Sequence, residues 1–122
     1  MKIVRNSRAA IGVEATTGKI RLLSADTTDD ERPPYVGNAT YLHLSRDELV
    51  ICNMVAKGLT RAQIRLIGWW ARCEGYRWIY AERLPGHTLP SAARRANRPM
   101  LGWFEIDLHA AFPQGEQEAQ CV

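Results

Sequence analysis

The chain has 122 residues, 46% of them hydrophobic, which matches one domain with a substantial core and leaves little room for a second. Its net charge of +3 is mild, its apolar runs are short and broken by arginine, and its opening MKIVRNSRAA holds no apolar stretch of signal-peptide length. These features predict a cytoplasmic protein without a membrane span or secretion signal.

In chain order, residues 1–4 predict a strand and residues 11–24 a hairpin, because IGVEA and KIRLLS flank Thr16, Thr17 and Gly18, and glycine supplies the positive φ of a tight turn. ADTTDDERPP is a polar loop in which Pro33 and Pro34 exclude helix. Residues 41–44 predict a short alternating strand. At Ser45 the apolar spacing changes to three and four. Ser45 with Glu48 forms a capping box, Leu44 and Leu49 sit at the positions of a hydrophobic staple, and Gly58 is placed to end the helix. The pattern then repeats: Thr60 and Gln63 form a second box, Leu59 and Ile64 a second staple, and Gly75 a second left-handed terminator. A helical corner over residues 45–75 is the expectation.

YRWIYAER follows as a strand with Tyr76, Trp78 and Tyr80 on one face, either face being a candidate for burial. Residues 84–99 read as loop, with one helical turn capped by Ser91, and LGWFEIDLH as a last strand with Phe104, Ile106 and Leu108 inward. The predicted fold is α+β: an antiparallel sheet of about five strands with a helix-turn-helix pair on one face. It forms a single domain over residues 1–112, with a polar, frayed tail at 113–122.

Leu44-Ser45, Glu48, the apolar Ile51 and Val55, then Ala56, Gly58-Leu59-Thr60 and Gln63-Ile64 resemble the start of the DNA-binding domain of LuxR-type response regulators. The resemblance implies a helix-turn-helix that positions a later recognition helix. The chain departs from the family pattern at Arg65, Gly68 and Ala71, and Glu74-Gly75 stands where that recognition helix would lie.

Charge is unevenly spread: eight arginines lie between Arg61 and Arg98 against Glu74 and Glu82. On the second helix Ile64, Ile67, Trp70 and Ala71 make an apolar stripe, while Arg61, Arg65, Trp69 and Arg72 share the other face. Guanidinium groups around an indole suit phosphate, a base or an acidic protein patch. Arg94, Arg95 and Arg98 offer a second cluster in a proline-bounded loop. Glu105, Asp107 and His109 alternate along the last strand and form a candidate Mg²⁺ or Mn²⁺ set. Three cysteines match neither a disulfide framework nor a zinc set, and Cys52 and Cys73 read as small core residues.

These features predict a non-enzymatic, cofactor-free binding protein for a protein or nucleoprotein complex, with nucleic acid also possible and no membrane partner. By analogy of size and composition, this is the profile of phage- or mobile-element-encoded inhibitors of host complexes. The alternatives are a helix-turn-helix DNA-binding regulator and a metal-dependent nuclease. The oligomeric state is open.

Overall fold

The computed structural model describes residues 1–15, 17–26, 35–56, 59–82, 93–95, 103–113 and 120–121, the segments 93–95 and 120–121 by backbone alone. Its strands are β1 (Lys2–Arg5), β2 (Ala10–Glu14), β3 (Lys19–Leu23), β4 (Tyr35–Ser45), β5 (Glu48–Ala56), β6 (Trp78–Ala81), β7 (Ala93–Arg95), β8 (Phe104–Asp107) and β9 (Gln120–Cys121); its helices are α1 (Arg61–Cys73) and α2 (Leu108–Ala111). One sheet contains all nine of these strands, in the order β7-β8-β6-β5-β4-β3-β2-β1-β9. Neighbours are antiparallel except β5 and β6, which run parallel with Glu48 opposite Trp78 and Ile51 opposite Ala81. A parallel pair needs a long crossover, and α1 is that crossover.

The expected hairpin at residues 11–24 is present as β2 and β3, with Gly18 at φ 65 in its turn. The expected second helix is present too. Thr60 Oγ1 accepts from the Gln63 amide at 3.1 Å while Gln63 Oε1 accepts from the Thr60 amide at 2.9 Å, a complete capping box. At the other end Gly75 adopts φ 98, its amide donates to the Arg72 carbonyl, and the Tyr76 amide donates to the Ala71 carbonyl. This is a Schellman terminator.

The expected first helix does not exist. Residues 45–56 form the turn and returning strand of the β4–β5 hairpin, so the fold is a large mixed sheet with two short helices in place of five antiparallel strands under a helix-turn-helix. Ser45 and Glu48, read as a capping box, face each other across a two-residue turn, with Ser45 Oγ donating to Glu48 Oε1 at 2.6 Å. The cause lies in burial on both faces. Leu49 and Ile51 point into the main core and Val50 into a cluster on the opposite face, so the apolar run does not alternate as a half-buried strand does. The two-helix arrangement implied by the LuxR-type resemblance is therefore not formed in residues 44–64. Gly58, the expected terminator, lies outside the described residues, as do most of the 25–34 loop and Ser91.

Two further expectations are corrected. Residues 93–95, read as loop, pair with β8, and Gln120–Cys121, read as frayed tail, pair with β1.

The core lies between one face of the sheet and the two helices. Ile11, Ile20 and Leu22 from the sheet meet Leu66, Trp70 and Ala71 of α1, with Leu108 and Phe112 beside them. The other face carries two smaller clusters, Ile3 with Ala10 and Leu23, and Val50 with Tyr80 beside Trp78 and Trp103. The face of β6 left open by its alternation is thus resolved: Ile79 enters the main core, and Trp78 and Tyr80 the second.

Candidate binding surface

The helix α1 is buried over six consecutive residues, Leu66 to Ala71, a wider arc than sheet packing alone would cover. The extra cover comes from α2 and Phe112. A Cβ at Gly68 would lie 2.9 Å from Phe112 Cε2 and 3.7 Å from Leu108 Cδ2, so glycine is what lets this layer approach. Asp107 starts it, accepting from the His109 amide at 3.1 Å as the cap of α2.

Trp69 is 8% exposed and belongs to the core, so its indole is not part of an open face. Burying an indole removes roughly 200 Å² from water, an upper estimate of about 5 kcal/mol, which outweighs anything an exposed indole gives the isolated chain. The arginines expected beside it do share one side of α1, organised about a different ring. The Arg65 guanidinium lies 4.7 Å from the centroid of Phe112, and Arg72 Nε donates to the Phe112 carbonyl at 3.3 Å. Arg61 and Arg65 are exposed and Arg72 is half-buried. Phe112 was legible only as a large apolar residue near the tail; nothing in its spacing marks it as the partner of residues some 40 positions earlier.

The first turn of α1 contains no acidic residue and begins with Arg61. A helix N-terminus carries partial positive charge, so a cation there is unfavourable by roughly 0.3–1 kcal/mol where an aspartate or glutamate would be favourable. The helix itself contains no carboxylate at all, and Glu74 beyond its end is paired with Lys2 at 3.0 Å. The result is a ridge of three arginines on a helix that has no acidic side chain of its own.

Arg94 stands in register with Glu105 and Arg95 with Phe104, their side chains undescribed, and Arg98 lies outside the described residues. The candidate metal set is broken: the last strand ends at Asp107, which caps α2 and also accepts from Arg77 Nη2 at 3.5 Å, so His109 sits on a helix and not on the strand face. Among the described residues no group of three His, Cys, Asp or Glu is placed to hold a metal ion. Cys52 is partly buried and Cys73 exposed, so Cys73 is not a core residue.

A polar network missed by the sequence reading lies on the second face. Glu48 accepts from Ser45 through one oxygen and from the Tyr80 hydroxyl through the other, at 2.8 Å. Burial first, then the bond to Glu48 and the charges of Glu48, Glu105 and Asp47, push the Tyr80 phenol well above its ordinary value of 10.0. The network joins the hairpin turn to β6 and is structural.

No helix of the described residues is long and apolar enough to cross a membrane. No family model matches the chain, and no curated protein or solved structure matches it either.

Proposed function

We propose that this is a non-enzymatic binding protein, acting in the cytosol, that meets an acidic surface of a macromolecular partner through the ridge of Arg61, Arg65 and Arg72. The observation that carries the reading is the bare first turn of α1: Arg61 occupies the end of the dipole that favours anions, at a cost to the isolated fold that an acidic partner relieves. Phe112 supports it by holding the Arg65 guanidinium, so less side-chain freedom is lost when that group binds. Occlusion of an acidic or nucleic-acid-binding surface on a host complex is the mode of action that suits a small basic ridge.

The test is affinity capture from the native host with and without nuclease treatment, using the wild-type chain and the Arg61→Glu/Arg65→Glu variant. The reading expects a partner that survives nuclease and is lost with the charge reversal. Capture that is nuclease-sensitive assigns the ridge to nucleic acid instead. Capture unchanged in the variant removes the ridge as the interface.

A further inference from the structure

At the end of α1 away from Arg61, about 20 Å along the helix axis, four aromatic rings and one carboxylate converge. The Schellman terminator at Gly75 turns the chain so that Tyr76 follows directly, and the Tyr41 amide, donating to the Gly18 carbonyl at 2.8 Å, fixes the facing stretch of β4. Tyr41 meets Trp70 edge to face with centroids 5.2 Å apart, and His43 meets Tyr76 in the same manner at 5.7 Å. His43 Nδ1 and the Tyr76 hydroxyl share a 3.0 Å hydrogen bond. Burial, and then the charge of Glu74, raises the Tyr76 phenol; burial, then Tyr76 and Glu74, raises that of Tyr41. Both tyrosines therefore stand within the field of the Glu74 carboxylate. The Trp70 indole Nε1 is buried with no hydrogen-bond partner.

We propose that this corner of His43, Tyr41, Tyr76 and Glu74, backed by Trp70, binds an alkylammonium cation, either free or carried on a lysine-type side chain of a peptide. Three attractions are near one another there: the aromatic rings of Tyr41, His43 and Tyr76, the carboxylate of Glu74, and the negative end of the α1 dipole. A hard metal ion is the wrong occupant, since it demands several oxygen ligands and the corner supplies one carboxylate. The chain already places an ammonium on the Glu74 carboxylate. Lys2 Nζ lies 3.0 Å from Glu74 Oε1 in a pair whose side chains are 45% and 40% exposed, and an exposed pair of this kind is weak and exchangeable. Lys2 is the resident competitor.

The test is an NMR titration of the full chain with tetramethylammonium chloride, with sodium chloride at matched ionic strength as the control, following the Trp70 indole N–H and the His43 ring. The expected result is a saturable shift that sodium chloride does not reproduce. Lys2→Gln tightens the binding several-fold by removing the competitor, and Glu74→Gln weakens it. Tyr76→Leu removes it while keeping apolar volume at the helix end, and Tyr76→Phe keeps most of it. A second arm uses trimethyllysine and unmodified lysine peptides: tighter binding of a peptide than of the free cation assigns the side-chain source, and equal binding assigns the free cation. The proposal is overturned if both arms shift no more than the salt control, or if Tyr76→Leu titrates as the wild type does.

Discussion

Tyr80 shows how one side chain sets a property of the whole fold. Its phenol is kept protonated by burial and by its hydrogen bond to Glu48, so its folded pKa is raised above the unfolded value. The associated stability is fully present below about pH 10 and falls as pH climbs above that, because the unfolded chain then loses a proton that the folded chain retains. Tyr41 and Tyr76 act in the same direction. Tyr80→Phe is expected to lower stability at neutral pH by about 1.5–3 kcal/mol, the range for a hydrogen bond to a charged group, and to flatten the alkaline decline. Denaturant unfolding at neutral and alkaline pH measures both, and an unchanged alkaline slope would show that Tyr80 is not the group responsible. Gly68→Ala tests the α1–α2 contact. Its new methyl meets the Phe112 ring at 2.9 Å, and overpacking of this kind costs about 1–3 kcal/mol. A melting temperature equal to wild type would mean that the ring yields freely. Trp69 is buried although it lies off the apolar stripe, because a helical wheel shows which residues share a side and says nothing of how wide an arc the rest of the chain covers.

Capping chemistry explains both the success and the failure of the sequence reading among the elements. Thr60, Gln63 and Gly75 do what their types suggest, and α1 was legible from end to end. Ser45 and Glu48 show the same residue types three apart, and there the same side-chain affinity closes a hairpin turn. Local signals could not separate the two cases. The strand is decided by non-local partners, Val50 against the second face and Ile51 against the first, and by pairing with Trp78–Ala81 across the α1 crossover. The three-and-four spacing has its own cause in a bulge. Pairing shifts by one residue between Asn38 opposite Val55 and Thr40 opposite Cys52, and Asn53 in between adopts φ 52. That slip returns Met54 to the core side and makes the apolar pattern irregular. Asparagine tolerates this left-handed conformation and a β-branched residue does not. Asn53→Val is therefore expected to cost about 1–3 kcal/mol and Asn53→Gly to be near neutral. Equal unfolding free energies for the two variants would contradict a strained bulge.

Across the whole molecule, a mixed sheet spans the domain with α1 and α2 on one face. Of the arginines from 61 to 98, Arg61, Arg65 and Arg72 form a ridge on α1, Arg77 precedes β6 and pairs with Asp107, and Arg94 and Arg95 lie on β7. Arg61 is the most telling member of the ridge, because in the proposed function the demands of folding and of binding oppose each other there. The most direct measurement takes Arg61→Glu and records, on the same preparation, the melting temperature and the retention at low salt on immobilised polyglutamate and duplex DNA. The account predicts a higher melting temperature, from about 0.3–1 kcal/mol of restored dipole complementarity, together with weaker retention on the acidic matrices. Retention equal to wild type, or a melting temperature that falls, would contradict it.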